Sequence, residues 1–556
     1  MNSDQPTAPV AAESHERFVC AWQPLEKEPH DCPSHADCPS DADCPGEAET
    51  IFEERTLDPP HSVSLPIGRV CCDSFPHPVY KMRTIETHLS TVILTGMRAY
   101  KIKKPALFDF VDASDPTKRA AMCRRELEVN RQYAGDIYLD VVPITRAGRD
   151  RKLRFGGDGT PVEYAVAMRQ FDDRALVASR VDQGLFTCSD AKLLGETIAR
   201  WHDELSNEEP VEIEPHTWTE SVLEDFLAVS RLVVELLPAD DATDADSLQK
   251  LEQLDGWVTD EHERIAFRLS ERAENGAVRD CHGDLHLENL LQFGSQVRAF
   301  DAIEFDDRLR RVDTASEIAF PVMDLFAHGR DDLAWTTLNA YLQATGDYDG
   351  LGVMRLFLVY RAMVRCMAHL LRDGDTAVKR ARVYLQTALR LAEGFEPSLT
   401  ITHGVSGSGK TTQARRFAAQ HGAIVVRSDV QRQHLELAGQ YDATSRSRVY
   451  EDLQWIAADA LDDGWPVLVD ATFLDRERRD HFRQVAKERD VVFAILDCEI
   501  DPDVAATRVL ARQRGGGDAS EAGVKVLERQ LQFREPLDAD EQEEIIGEEP
   551  RVTAAD

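Results

Sequence analysis

The stretch that most constrains the fold of this chain is GVSGSGKTT, at residues 404–412. It follows the pattern G-x4-G-K-[ST] without a gap, between the strand-like run SLTITHG and the helix-like run TQARRFAAQHG. In such a loop the backbone N–H groups wrap a phosphate, the lysine reaches the β and γ oxygens, and the hydroxyl binds Mg²⁺. The motif predicts a nucleotide-binding loop whose phosphate- and metal-binding residues are Gly404, Ser406, Gly407, Ser408, Gly409, Lys410, Thr411 and Thr412.

Three apolar runs follow this loop, at residues 422–429, 466–472 and 491–500, and helical segments separate them. This alternation predicts a parallel, doubly wound sheet in a three-layer α/β/α domain. Asp429 and Asp470 end the first two runs, where reacting groups gather in open α/β sheets. Asp429 is a candidate catalytic base and Asp470 a candidate Mg²⁺ ligand. The two roles could be exchanged, and helix capping is the alternative for either residue.

Arginines precede a Gly-Gly-Gly segment near the end of this region. Arg508 and Arg512 could belong to a mobile lid that neutralises a transferring phosphoryl group. For any single arginine, an exposed helix end followed by a flexible loop is an equal alternative.

A second constellation occupies residues 281–305, CHGDLHLENLLQFGSQVRAFDAIEF. Asp284 and Asn289 have the spacing Asp-x4-Asn, and Asp301 follows after a strand-like run. This is the layout of a kinase catalytic loop followed by a metal-binding aspartate. It predicts Asp284 as the catalytic base and Asn289 and Asp301 as Mg²⁺ ligands. A surface turn rich in His, Asp and Asn is the alternative.

Upstream, residues 88–96 and 98–105 are predicted to form two strands around a Gly turn. Their alternation places Lys101 and Lys103 on one face, and a kinase needs a lysine on such a strand to hold the α- and β-phosphates. Lys101 is the preferred candidate and Lys103 the second. A helix at 118–134 follows, in which Glu126 is the preferred partner of that lysine, because it lies on the apolar stripe, whereas Glu128 does not.

Two family resemblances rest on these motifs. HGDLHLEN and FDAIEF resemble the aminoglycoside phosphotransferase family over residues 75–395, which implies a bilobal, protein-kinase-like fold and ATP-dependent phosphorylation of a small-molecule hydroxyl. GVSGSGKTT, RSDVQR, DAT and the lid arginines resemble P-loop kinases over residues 398–535, a group that includes the kinase part of polynucleotide kinase, zeta-toxin-like kinases and gluconate-kinase-like enzymes. The first family usually has two acidic positions downstream. Here Asp313 and Glu317 stand there, and we expect them to support the catalytic loop.

The chain carries 100 acidic and 64 basic residues, a net charge of -36. This balance argues against nucleic-acid partners, although the acidic residues are spread over most of the chain. Because no apolar run of about 18 residues and no secretory signal occurs, we expect a cytoplasmic protein without a membrane span.

These observations predict a multidomain chain that combines α/β and α+β folds. Residues 1–75 are expected to be low in complexity and disordered, and they include a repeat that places Cys32, Cys38 and Cys44 six apart. A kinase-like domain is expected at 76–395, a P-loop domain at 396–540, and a loose acidic tail at 541–556.

The expected function is bifunctional ATP-dependent phosphotransfer, with ATP and Mg²⁺ bound independently at two sites. One alternative is an ATP-sensing regulatory protein in which one or both sites transfer nothing. Another makes the second domain a nucleic-acid 5′-end kinase. The acceptors and the oligomeric state stay open.

Overall fold

A computed structural model describes residues 62–65, 68–87, 89–108, 111–147, 152–206, 211–237, 242–372, 374–440, 442–515 and 523–546. The chain forms two compact units, one ending at Phe171 and the other beginning at Asp172. Residues 1–61 of the segment expected to be disordered, with the Cys32, Cys38 and Cys44 repeat, lie outside the described residues. The expectation was wrong for the described residues from 62 to 75, because Ser62–Leu65 and Gly68–Cys71 pair as antiparallel strands and Cys72–Ser74 forms a 3₁₀ turn. Among the described helices, none is both long and apolar enough to cross a membrane.

The first unit is built on a six-stranded antiparallel sheet with the strand order β3-β4-β5-β10-β8-β9. The two strands predicted around a Gly turn are β4 and β5, which pair in register and are joined at Gly96, whose φ is 93°. The strands of this unit are β1 (Ser62–Leu65), β2 (Gly68–Cys71), β3 (Arg83–Glu86), β4 (Ser90–Leu94), β5 (Arg98–Lys103), β6 (Leu107–Phe108), β7 (Val111–Asp112), β8 (Tyr138–Ala147), β9 (Lys152–Phe155) and β10 (Pro161–Arg169).

One helix, α1 (Pro116–Ala134), packs against β8 and β10 of this sheet. It begins where Asp115 accepts hydrogen bonds from the N–H groups of Thr117 and Lys118. Pro116 at the first helical position suits this start, because its missing N–H would have no partner inside the helix. The helix buries a stripe that includes Cys123, Glu126 and Leu127. It therefore carries a carboxylate to the sheet on its apolar face.

The second unit begins with a largely helical part that contains two short antiparallel strand pairs, β11 with β14 and β12 with β13. These pairs present the loops of the constellation at 281–305. The helices are α2 (Val177–Asp182), α3 (Cys188–Ser206), α4 (Pro215–Leu236), α5 (Ala242–Glu274), α6 (Thr314–Ala327), α7 (Asp331–Thr345), α8 (Leu351–Leu370) and α9 (Asp375–Glu393), and the strands are β11 (Val278–Asp280), β12 (Leu290–Phe293), β13 (Gln296–Ala299) and β14 (Arg311–Asp313).

The second unit continues with a four-stranded parallel sheet in the order β16-β17-β15-β18, covered by helices. This confirms the predicted parallel sheet and, with the first unit, the predicted fold class. The strands are β15 (Ser398–His403), β16 (Ile424–Arg427), β17 (Val467–Asp470) and β18 (Val492–Asp497), and the helices are α10 (Lys410–His421), α11 (Ser428–His434), α12 (Ala443–Asp462), α13 (Arg476–Glu488), α14 (Pro502–Gly515), α15 (Val524–Phe533) and α16 (Ala539–Gln542).

The helical part and the parallel sheet pack into one unit rather than separating at residue 396. Asn339 of α7 binds the edge strand β16 like a neighbouring strand: its amide accepts from the N–H of Val425 at 2.6 Å and donates to the carbonyl of Ala423 at 2.8 Å. Trp335, Phe395 and Trp465 form an aromatic cluster across the same junction. The domain limits 76–395 and 396–540 therefore stay predictions, and they do not coincide with the boundary between the two compact units.

The segment expected to begin a loose acidic tail differs from that expectation. Glu541 is buried and forms an ion pair with Arg479 at 2.6 Å, and Ile546 donates its N–H to the carbonyl of Ile495 in β18. Residues 541–546 thus belong to the folded part. Glu541 supplies the carboxylate that the buried Arg479 needs.

Candidate functional site

The loop after β11 is held in an unusual backbone conformation. Gly283 has a φ of 84°, and a Cβ there would lie 2.7 Å from the carbonyl oxygen of Leu309. Glycine alone fits both demands. The N–H groups of His282 and Gly283 donate to the carboxylate of Glu317 on α6, the first at 2.8 Å. The motif HGD is therefore fixed by its backbone, which aims the side chain of Asp284.

Asp284 and Asn289 contact each other directly. The Nδ2 of Asn289 donates to the backbone carbonyl of Asp284 at 2.9 Å and to its Oδ2 at 3.0 Å. The Nε2 of His286 lies 3.4 Å from the same oxygen. Burial alone would raise the pKa of Asp284, but His286 and the nearby Arg365 outweigh it and hold that pKa well below its usual range. Asp284 is thus ionised at neutral pH and can accept a hydrogen bond.

The residues on either side of Asp301 are hydrogen-bonded to the loop that carries Asp284 and Asn289. The N–H of Phe300 donates to the carbonyl of Asn289 at 3.0 Å, and the N–H of Ile303 donates to the carbonyl of His282 at 3.2 Å. Burial lowers the pKa of His282 to about 4, so its neutral ring donates from Nε2 to the carbonyl of Phe300 at 3.0 Å. Asp301 itself has a φ of 64°, a conformation that is uncommon outside glycine and is often found at functional sites.

The expected supports are present beneath this loop. Asp313 caps α6 by accepting from the N–H of Ala315 at 2.7 Å, and Glu317 holds the loop as described above. Burial raises the pKa of Glu317 to about 7. Arg365 donates to Glu288 at 2.7 Å, whereas Arg361 donates to the carbonyls of Gly283 and Ser316.

One support escaped the sequence reasoning. Asp324 accepts from the N–H of Leu287 at 2.9 Å and from the hydroxyl of Tyr384 at 2.6 Å. An aspartate within the apolar run of α6 was the available signal, since an acidic residue that is almost completely buried needs a specific partner.

In the first unit, the expected pair of Lys101 and Glu126 is formed. Lys101 Nζ lies 2.9 Å from one oxygen of Glu126, and Lys103 Nζ lies 2.7 Å from the other. Burial would raise the pKa of Glu126, but the two lysines lower it to about 2. Glu128 is exposed and pairs with Arg125. The preference for Glu126 over Glu128 agrees with this geometry. Because both lysines pair with Glu126, Lys103 stays the second candidate for the phosphate-binding lysine.

The loop between β15 and α10 has the conformation that its glycines allow. Gly404, Gly407 and Gly409 have φ values of 147°, 83° and 98°. A Cβ at Gly404 would lie 2.8 Å from Ser408 Oγ, and one at Gly407 would lie 2.6 Å from the carbonyl of Ala505. Ser408 Oγ is buried and finds no hydrogen-bond partner among the described residues. The N–H of Ser406 donates to Oε1 of Gln530 at 2.8 Å, so this amide points to where an anion would accept from it.

Thr411 and Asp470 meet at the carboxyl edge of the sheet. The Thr411 hydroxyl donates to Asp470 Oδ2 at 2.7 Å, and Arg427 Nε lies 3.4 Å from that oxygen. The Lys410 ammonium donates to the carbonyl of Val405 at 2.8 Å, inside the loop. Two hard oxygen donors thus stand side by side, as a Mg²⁺ site next to phosphates requires.

Lys410, Thr411 and Asp470 line a cleft of about 810 Å³. Asp429 and Thr412 line it, and so does Arg508, whose Nη1 donates to the carbonyl of Ser408 at 3.4 Å. The side chain of Arg512 lies outside the described residues. Sequence reasoning missed other lining cations because nothing in their local sequence marks them. They are Arg446, Arg478, Lys525 and Arg529.

No group of three or more His, Cys, Asp and Glu side chains arranged to hold a metal occurs in the part of the chain that the structure describes. Mg²⁺ does not need such a group, because it usually keeps several waters and takes one or two protein ligands beside substrate phosphates. Two adjacent oxygen donors such as Thr411 and Asp470 are compatible with that mode of binding.

Comparisons with known proteins agree with the predicted P-loop domain near the end of the sequence. Residues 399–537 match the family model AAA_33, described as an AAA domain. An uncharacterized protein of Mycobacterium tuberculosis (strain ATCC 25618 / H37Rv) is 28% identical over 473 residues, which is 81% of this chain and 90% of that protein.

Two solved structures are similar to separate parts of the chain. For a gluconokinase from Sinorhizobium meliloti 1021, the superposition covers 27% of this chain and 82% of the gluconokinase chain, at 19% identity and a TM-score of 0.21. For the GDP complex of wild-type aminoglycoside 2'-phosphotransferase-IIIa, it covers 57% of this chain and 94% of the phosphotransferase chain, at 13% identity and a TM-score of 0.33.

Proposed function

We propose that this protein is an ATP-dependent phosphotransferase with two nucleotide sites. The observation that carries the first site is the contact of Asn289 with Asp284. The residues on either side of Asp301 are hydrogen-bonded to the same loop, which supports Asp301 as a further ligand. A base that must receive a hydroxyl proton and oxygen ligands that must face phosphates are needed together for this chemistry. The loop supplies both within one buried framework.

In the first site, the ionised carboxylate of Asp284 orients the acceptor hydroxyl and receives its proton. The hydroxyl oxygen then forms a bond to the γ-phosphorus while the bond to the bridging oxygen breaks, and ADP leaves. Asn289 and Asp301 would hold Mg²⁺, which when bound neutralises charge on the phosphate oxygens. Lys101, kept in place by Glu126, is the proposed ligand of the α- and β-phosphates.

The second site is proposed to bind ATP through the loop at 404–412 and Mg²⁺ through Thr411 and Asp470. Gly404 and Gly407 have no room for a Cβ, which is typical of a loop whose backbone closely wraps a phosphate. The buried Ser408 hydroxyl has no hydrogen-bond partner among the described residues and could donate to that phosphate. Asp429 is the proposed base for the acceptor of this site. Asp470 ends β17, whereas Asp429 lies in the first turn of α11, directly after the neighbouring strand β16. Both line the cleft at the edge where reacting groups gather in open α/β sheets.

The charge of the second cleft suggests what its acceptor carries. Seven Lys and Arg side chains line it against three Asp side chains, in a chain whose net charge is -36. Arg446 Nε is buried without a hydrogen-bond partner among the described residues, and Arg478 lies 4.0 Å above the ring of Tyr450. Lys410 and Arg508 are sufficient for a triphosphate, so the remaining cations favour an anionic acceptor. An oligonucleotide 5′ end is the second candidate that this lining supports.

The test uses γ-labelled ATP with a metabolite extract and with 5′-hydroxyl oligonucleotides. Asp284→Asn should lower product formation at the first site about 10²–10⁴-fold and leave second-site products in place, because each base serves its own acceptor. Asp429→Asn should do the reverse, and Asp331→Asn, an exposed carboxylate paired with Arg390, is the matched control. If no labelled product forms with any acceptor, the nucleotide-sensing alternative replaces this proposal.

A further inference from the structure

Within the second unit, side-chain contacts and short backbone segments form a path from the catalytic loop at 281–289 to the P-loop. It begins at the catalytic loop, where Glu317 accepts from the N–H of His282. Glu317 lies in the first turn of α6, whose N-cap is the completely buried Asp313. Both oxygens of Asp313 accept from Arg272, each at 2.8 Å. The start of α6 is thus held by one arginine of α5.

Arg272 is shared with a second carboxylate. Its Nη1 and Nη2 donate to the two oxygens of Asp347 at 2.7 and 2.8 Å. Asp347 caps the short 3₁₀ turn Tyr348–Gly350, in which the hydroxyl of Tyr348 donates to the carbonyl of Val425 at 3.3 Å. The contact series therefore enters β16, the edge strand of the parallel sheet.

β16 carries the series to the phosphate-binding loop. It ends at Arg427, which pairs in register with Asp470 of β17 and lies 3.4 Å from its carboxylate. That carboxylate accepts from Thr411. Glu317, Asp313, Arg272, Tyr348, Arg427 and Asp470 are each less than a tenth exposed. Ion pairs and hydrogen bonds at such depth are little screened by solvent, so a change of charge at one end reaches the next group.

We propose that nucleotide binding at the P-loop site is energetically coupled to the catalytic loop through this path, Glu317–Asp313–Arg272–Asp347–Tyr348–Val425–Arg427–Asp470. The proposal rests on the proposed function, because it takes the P-loop to be a nucleotide site. It replaces the expectation of two independent sites.

The physical basis is competition for shared carboxylates. With a magnesium-bound nucleotide at Thr411, the carboxylate of Asp470 would turn towards the metal, and its pairing with Arg427 at the end of β16 would weaken. The same strand supplies the acceptor of Tyr348, so its shift moves the turn that Asp347 caps. Arg272 then divides its donors differently between Asp347 and Asp313, which sets how firmly α6 holds the loop. Linkage requires the reverse effect to be equal in size.

The test is hydrogen exchange of the peptide 281–289, read with and without saturating AMP-PNP and Mg²⁺. The protein carries Lys101→Met, so that the first site should not take the nucleotide, and addition of Lys410→Ala removes P-loop binding as a control. Nucleotide at the P-loop should change the exchange rate of this peptide by about fivefold or more, the lower end of usual coupling. An unchanged rate at full P-loop occupancy would overturn the coupling and leave the proposed function standing.

Variants on and off the path sharpen the result. Tyr348→Phe and Asp347→Asn should each reduce the effect to less than about twofold, because each breaks one contact of the series. Arg268→Gln should retain it: Arg268 binds Asp459 and Asp463 across the same junction but lies off the path. An equal loss in all three variants would show general loosening of the junction and would overturn the proposed route. Absence of any AMP-PNP binding at the P-loop would instead refute the proposed function, and the coupling with it.

Discussion

At the scale of single residues, the two sites depend on backbone positions that few side chains can occupy. Gly283 combines a positive φ with a close carbonyl, and Gly404 and Gly407 do the same in the P-loop. Asp301 adopts a positive φ with a side chain, which costs free energy that the surrounding hydrogen bonds must offset. Such strain is acceptable where it positions reacting groups, and it explains why these residues stand in short fixed motifs.

Gly283→Ala should destabilise the protein by roughly 1–3 kcal/mol, since it adds both backbone strain and a contact with the carbonyl of Leu309. Gly294→Ala is the matched control, because Gly294 has a φ of 58° and open space around its Cβ position. It should cost only the strain, about 1 kcal/mol. Urea denaturation of both variants measures the difference. Equal losses would show that the carbonyl of Leu309 moves away freely.

Glu317 predicts a pH dependence. Its pKa is raised to about 7 in the folded protein, above the ordinary 4.5, so the folded state binds more protons between these values. Stability that depends on the protonated carboxyl is present below pH 4.5 and is lost as the pH rises towards 7 and beyond. Glu317→Gln keeps a neutral acceptor for the N–H groups of His282 and Gly283. Its free energy of unfolding, relative to the natural protein, should therefore rise by roughly 1–3 kcal/mol from pH 4.5 to pH 8. A pH-independent difference would contradict the assignment.

At the scale of elements, α12 connects the two regions of the second unit. Its first turns place Arg446 and Tyr450 in the P-loop cleft, and its last turn places Asp459 and Asp463 against Arg268 of α5. Asp463 is almost completely buried, so its charge needs these arginine partners. The helix therefore both lines a site and fixes the position of that site on the helical part.

Arg268→Ala should lower the free energy of unfolding by about 1–3 kcal/mol, because it leaves the buried carboxylate of Asp463 with only the longer contact to Arg264 at 3.5 Å. Arg390→Ala removes an exposed ion pair with Asp331 and should cost at most about 1 kcal/mol. Thermal or chemical denaturation of the two variants compares them. A loss for Arg268→Ala no larger than for Arg390→Ala would mean that the junction contributes little.

Elements and motifs were more predictable than the contacts that join them. The hairpin of β4 and β5 and the strands β15 to β18 follow from apolar periodicity and turn residues, which are local properties. Lys101 and Glu126 could be paired because one helical stripe and one strand face determine their directions. Other contacts join residues that are far apart in sequence: the bonds of Asn339 to β16, the place of Arg446 in the P-loop cleft, and the sharing of Arg272 by two aspartates. No local pattern encodes them.

At the scale of the whole molecule, the chain combines a six-stranded antiparallel sheet in the first unit with helices and a four-stranded parallel sheet in the second. The helical part and the parallel sheet share a buried junction in which Trp465 donates to the carbonyl of Leu351 at 3.1 Å. A buried indole with a satisfied N–H is typical of a permanent interior rather than of a transient contact. The loop at 281–305 and the P-loop thus lie in one compact unit with a shared interior.

The most direct test of the central claim is the number of nucleotides bound per chain. Calorimetric titration of the natural protein with AMP-PNP and Mg²⁺ should give two sites, Lys410→Ala should leave one, and Lys101→Met in addition should leave none. One site in the natural protein, or binding that Lys410→Ala does not change, would contradict the account.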